Sequence, residues 1–177
     1  SDVCSSDLDY ENRIMYIITD VFENSMTLSK FINGYQERDE IISTFKLLKI
    51  IKGLLKAIVY LHKIGIAHAD IKPENILIND KLELQIIDFG ISCAKNCIVL
   101  GTLLYQSPEL IRVIGSKQKK SVNVLKKGDI FSLGMVFYLL ANLSFPFPLD
   151  GDYILNKKSK YTENLPIVRL SGPALLF

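Results

Sequence analysis

The stretch HADIKPENILI, residues 68–78, sets a His, an Asp, a Lys and an Asn just ahead of an apolar run. Downstream the pattern continues as ILI-NDK-LELQII, two apolar runs around a polar turn, which predicts a β-hairpin. Asn75 leads into the first strand and Asp88 ends the second, so folding the turn at 79–81 brings those two residues side by side. A pair of adjacent oxygen ligands suits a hard cation such as Mg²⁺, which keeps waters and phosphates as its remaining ligands. Asp70 lies five residues before Asn75 on the same loop, with Lys72 between them. A base, a cation and two metal ligands on one point are the parts that phosphoryl transfer needs, since that chemistry rests on positioning and charge neutralisation.

Bulk properties narrow the alternatives. The chain has 177 residues and 49% hydrophobic content, enough for one domain with a core. Its formal charge of +2 makes no case for binding nucleic acid or membrane through bulk electrostatics. Three cysteines, Cys4, Cys93 and Cys97, are too few for a disulfide framework, so a reducing, cytoplasmic setting is expected and Cys93 and Cys97 read as inert thiols. Two His and no CxxC pattern offer no structural metal cluster. The start is acidic and polar, unlike a secretory signal. Residues 130–149 are long enough for a membrane span, but Asn142 and two prolines interrupt them, and a buried helix is the expectation.

Residues 13–22, RIMYIITDVF, read as a strand, and MTLSKFING as a short helix stopped at Asn33-Gly34. Over residues 38–63, the residues Ile41, Phe45, Leu48, Ile51, Leu55, Ile58 and Leu61 recur at helical spacing and predict one buried face. The run SKQKKSVNVLKK, residues 116–127, reads as a solvated basic loop, and Asp129 as the N-cap of the apolar helix that follows.

Four motifs then stand in order: HADIKPEN, DFG at 88–90, GTLLYQSPEL at 101–110 and GDIFSLG at 128–134. Together they resemble the eukaryotic protein kinases of serine/threonine type over about residues 13–149. The resemblance implies an α+β, mainly α fold: most of a kinase C-terminal lobe with a hinge strand and a catalytic-loop hairpin, the small lobe largely missing. It implies ATP and Mg²⁺ as cofactors and a protein substrate with a Ser or Thr hydroxyl, and no particular oligomeric state. Asp70 resembles the catalytic base and Lys72 the lysine that stabilises the transferring phosphate. Asn75 and Asp88 resemble the Mg²⁺ ligands, and Thr102 the threonine that orders the base. Leu77 resembles the floor under the adenine, Thr19 the gatekeeper, and Asp20 to Phe22 the hinge. His68 and Phe89 resemble structural spine residues.

The departures are as specific as the matches. Ala69 stands where the resemblance calls for an Arg that pairs with an activation-loop phosphate, and residues 93–100, CAKNCIVL, contain no Ser, Thr or Tyr. Activation by phosphorylation within that stretch is therefore not expected. No Gly-rich loop or strand lysine precedes residue 13, so residues 1–177 alone are expected to bind nucleotide weakly and to lack useful activity. Residues 1–8, SDVCSSDL, resemble a translated sequencing-adapter read-through and are set aside from fold reasoning, which leaves 9–177 as a partial kinase domain. Glu109 is expected as a buried carboxylate without its Arg partner, for which Arg169 is a remote substitute. The rival classes are a pseudokinase or scaffold without turnover, and a small-molecule kinase that shares the Asp, Asn and Asp logic.

Overall fold

A computed structural model describes residues 20–146 in full, together with the backbone of two preceding strands. Those strands, β1 (Ser5–Asp9) and β2 (Ile14–Ile18), pair antiparallel with Ser5 opposite Ile18. Ser5 to Leu8, set aside above, thus take part in a strand. β2 covers the centre of the strand expected over 13–22.

A short strand β3 (Ser25–Thr27) leads directly into α1 (Leu28–Glu37). Thr27 caps α1, its side-chain oxygen accepting from the Lys30 amide at 3.2 Å. The stop expected at Asn33-Gly34 is overridden, and the helix runs on to Glu37. Burial of Leu28, Ile32 and Tyr35 on one face outweighs the roughly 1 kcal/mol that an internal Gly costs.

Helix α2 (Thr44–Lys63) starts at the Ser43 cap, later than expected. Its buried face is Leu47, Ile50, Leu54, Ile58 and Leu61, whereas Ile41 is 83% and Phe45 73% exposed, with Leu48 and Leu55 also exposed. The helix carries two overlapping apolar stripes at three- and four-residue steps, and both satisfy the periodicity. Packing against β5 and the last long helix selects the stripe through Leu54, and spacing alone does not. The other stripe leaves an apolar strip of Leu48, Ile51, Leu55 and Val59 on the surface.

The hairpin forms as expected. After a single 3-10 turn, Pro73–Asn75, strand β4 (Ile76–Asn79) pairs antiparallel with β5 (Leu84–Ile86), Ile76 opposite Ile86 and Ile78 opposite Leu84. The Asn79 side chain closes the turn by accepting from the Lys81 and Glu83 amides at 3.0 and 2.9 Å. β3 adds to the other edge of β4, with Thr27 opposite Leu77. Ile76 and Ile78 point into the core, so Leu77 faces the opposite side of the sheet.

Three expectations downstream are corrected. Cys93 and Cys97 form a disulfide rather than a pair of free thiols, with their Cα atoms 6.0 Å apart. Cys93 is held by paired backbone bonds to Ala67, both 2.8 Å, and Cys97 lies in β6 (Asn96–Ile98). The bend between these two fixed points brings the sulfurs together. Next, the basic run is not simply a loop. Lys119–Ser121 form β7, antiparallel to β6, and Val122–Asn142 form α4, so the helix already begins within the run. Asp129 is consequently inside α4, only 1% exposed, and caps nothing. Gly128 does not stop the helix; it allows contact with the short helix α3 (Pro108–Ile111), since a Cβ there would lie 2.4 Å from a Leu110 methyl. Third, Glu109 is exposed, so the penalty of a buried unpaired carboxylate does not arise. Arg169 lies outside the described residues.

The core joins α1, α2, the β4–β5 hairpin and α4 through Leu28, Ile32, Leu54, Ile58, Ile76 and Val136. Among the described residues no helix is long and apolar enough to cross a membrane.

Candidate active site

The site is built on the loop between α2 and β4. His68 is fully buried, and its ring is fixed from both sides. Nδ1 accepts from the Asp70 amide at 3.3 Å, which makes Nε2 the protonated nitrogen that donates to the Ile87 carbonyl at 2.9 Å. The Phe89 and His68 rings pack in a tilted, T-shaped contact with centroids 5.0 Å apart, while Phe89 itself is 46% exposed. Ala69 adopts φ 69°, a left-handed conformation that costs an L-residue about 1–2 kcal/mol. The surroundings hold it there. Asp129 accepts from the Ala69 amide at 2.8 Å and from the His68 amide at 2.9 Å, and the Gln106 amide donates to the Ala69 carbonyl at 3.0 Å.

Asp70 follows this pinned turn, and both of its oxygens are engaged. Oδ1 accepts from the Thr102 amide and from the Thr102 hydroxyl, each at 2.9 Å. Oδ2 faces Lys72 Nζ at 2.7 Å and accepts from Asn75 Nδ2 at 3.0 Å. Lys72 also donates to the Thr102 hydroxyl at 2.9 Å, which closes a ring of three side chains, with Asn75 attached to it at Asp70. Burial alone would raise the Asp70 carboxyl, but the bonds from Lys72 and Thr102 and the Lys72 charge outweigh it and hold it below the usual carboxylate value. The group is a carboxylate at neutral pH, as a proton acceptor must be.

Asn75 is 6% exposed, and its Nδ2 donates to both the backbone and the side chain of Asp70, 3.0 Å each. This orients the amide so that Oδ1 is the atom left to ligate a cation. The Ile87 amide donates to the Asn75 carbonyl at 2.9 Å, which sets Asp88 next to Asn75 as the hairpin predicts. Asp88 is exposed, in a left-handed conformation with φ 62°, and its Oδ1 accepts from the Gly90 amide at 3.2 Å. The described residues hold no cluster of three His, Cys, Asp or Glu side chains suited to a metal. Asp20 is exposed and Phe22 partly buried, just before β3, whose register sets Ser25 opposite Asn79 and Thr27 opposite Leu77. Thr19 lies outside the described residues.

Sequence reasoning missed two contributors. Neither Gln106 inside GTLLYQSPEL nor Asp129 as more than a cap follows from spacing, although the place of Asp129 inside GDIFSLG, one of the four motifs, is the available signal. The glycine of the same motif has a clear physical task. Gly101 has φ 110°, and a Cβ there would lie 2.7 Å from the Ala69 carbonyl and 2.4 Å from the Gln106 amide. Gly101→Ala is therefore expected to destabilise the fold by at least about 1–3 kcal/mol in chemical denaturation, because both backbone and neighbour resist it. A change below about 0.5 kcal/mol would show that the segment relaxes freely.

The site thus sets a partly buried carboxylate, held by Lys72 and Thr102, beside Asn75 at the foot of a hairpin whose far strand leads to Asp88. The family model for the protein kinase domain matches residues 3–170, and the chain belongs to that family. It is similar to calcium-dependent protein kinase 4 of Plasmodium berghei, with 32% identity over 173 residues, 88% of this chain and 29% of that protein. It resembles the serine/threonine-protein kinase Nek10 of Mus musculus at 33% identity over 77% of this chain and 12% of that protein. Serine/threonine-protein kinase PrkC of Bacillus subtilis is 33% identical over 89% of this chain and 23% of its own length. The chain thus spans less than a third of each of these relatives.

Proposed function

We propose that the protein carrying this chain transfers the γ-phosphate of ATP to a Ser or Thr hydroxyl of a protein substrate, and that residues 9–177 supply most of its C-terminal catalytic lobe. The observation that carries this reading is the closed ring of Asp70, Lys72 and Thr102, with Asn75 donating into it at Asp70. Asp70 accepts the proton of the attacking hydroxyl as the new O–P bond forms and the bond to ADP breaks. Asn75 and Asp88 would hold Mg²⁺, which when bound neutralises charge on the phosphate oxygens. Leu77, Thr19, Asp20 and Phe22 would receive the adenine. Each Asp70 oxygen already meets two donors, so accepting a substrate hydroxyl requires one of them to leave. Lys72 is the donor free to do so, since its long side chain can turn from Oδ2 to a phosphate while Thr102 and Asn75 stay anchored by backbone.

A group whose folded pKa is lowered stabilises the fold above its unfolded value and loses that contribution as pH falls through the folded one. For Asp70, held below the ordinary carboxylate value, the window lies in the acid range, so its protonation should produce no acid limb in kcat between pH 5 and 7. Lys72→Met removes the bond and the charge that offset burial, and is expected to move an acid limb up into a measurable range while lowering kcat. The direct test is the full-length gene product with Mg-ATP and Ser-, Thr- and Tyr-containing peptides, followed by phosphoamino-acid identification. Phosphoserine or phosphothreonine is the expected product. Nucleotide binding without transfer to any hydroxyl would favour a non-catalytic binding module instead.

A further inference from the structure

The geometry points to Gln106 as a positioning residue for the base Asp70, acting by coupling the segment that follows the disulfide to the catalytic loop. The inference rests on the role proposed above for Asp70. Gln106 is 3% exposed, and its single side-chain NH₂ spends both hydrogens on backbone carbonyls from two different segments. One bond goes to Ala69 at 3.0 Å and the other to Leu100 at 2.8 Å. Ala69 is the residue before Asp70, and Leu100 stands two residues before Thr102, whose amide and hydroxyl hold Asp70 Oδ1. One amide therefore fixes both ends of the arc that aims the base.

Two features show that this is more than filling space. Ala69 offers only a methyl group, so its own side chain cannot reach the opposing segment, and the link runs through its carbonyl. That carbonyl belongs to a residue in a left-handed conformation, φ 69°, which an L-residue keeps only when its neighbours impose it. Asp129 holds the amide side of Ala69, and Gln106 holds the carbonyl side. Gly101 completes the arrangement, since a side chain there would occupy the place of the Gln106 amide.

The test is Gln106→Met in the full-length gene product, a side chain of similar length with no donor. Asp70 should lose its aim, and kcat should fall about tenfold or more while the KM for ATP stays within about twofold. Amide hydrogen exchange at Ala69, Asp70 and Thr102 should quicken about tenfold, with the Leu133 to Val136 amides of α4 unchanged. Adding Ala69→Gly should restore most of kcat, because glycine adopts positive φ without needing to be held there. A lower melting temperature with unchanged kcat would overturn the inference, as would a failure of Ala69→Gly to rescue. Should the single variant not fold, the double variant decides: recovery of folded protein with near-native exchange supports the role, and an equally unfolded double overturns it. If the unmodified protein transfers no phosphate, the function proposed above fails, while the exchange measurements still decide whether Gln106 holds this loop.

Discussion

Asp70→Asn is expected to lower kcat by about 10²–10⁴, the usual worth of a positioned general base, with only a modest loss of stability. The amide cannot take the proton of the attacking hydroxyl, so the loss falls on the chemical step. Its nitrogen would also face a donor, Lys72, Asn75 or Thr102, where the carboxylate now accepts from all three. Hydrogen bonds to a charged group contribute about 1.5–3 kcal/mol each, yet Asp70 is only partly buried and water can replace some of what is lost. Kinetics and melting should therefore separate. Steady-state assays of the purified variant beside the unmodified protein would settle the role, and a fall of less than about tenfold would exclude Asp70 as the base.

The largest effect on stability is expected at Asp129, which never touches the reaction. Asp129→Ala should cost about 3–5 kcal/mol, against total stabilities of about 5–15 kcal/mol for a domain. Its carboxylate lies 1% exposed inside α4 and receives the His68 and Ala69 amides and His62 Nε2, at 2.8 to 2.9 Å. Removing it strands two amides of the catalytic loop, each costing about 1–3 kcal/mol once buried without a partner. The left-handed turn at Ala69 would lose its anchor at the same moment, so phosphotransfer should fall with the fold. Asp129→Asn keeps one acceptor oxygen and should lie between the two. Urea denaturation of the three proteins would show this order, and an alanine variant within about 1 kcal/mol of the original would mean that the loop holds itself.

Local signals read well wherever a short segment meets its own partner. The hairpin around Asn79 to Lys81 is such a case, since two apolar runs and an Asx turn need nothing from the rest of the chain. The adjacency of Asn75 and Asp88 follows from it directly. Signals failed where two local solutions were equally good. Helix α2 carries two apolar stripes, and only contact with β5 and α4 decided which became core. Asn33-Gly34 was a sound local stop, but the burial of Tyr35 one residue later carried α1 past it.

The same division runs through the site. The residue types that the proposed phosphoryl transfer calls for, Asp70, Lys72, Asn75, Asp88 and Thr102, are determined by the sequence, because their chemistry and their order are written in it. What holds them in register was decided by tertiary structure alone. Asp129 lies some sixty residues beyond the amides it fixes, and Gln106 lies 37 beyond the carbonyl it holds. The Cys93–Cys97 bond likewise depended on where Ala67 pinned one end of the bend and β7 the other. Hydrogen bonds of this kind are short-ranged and directional, so they exist only once distant segments have been packed to within 3 Å, and no spacing along the chain announces them.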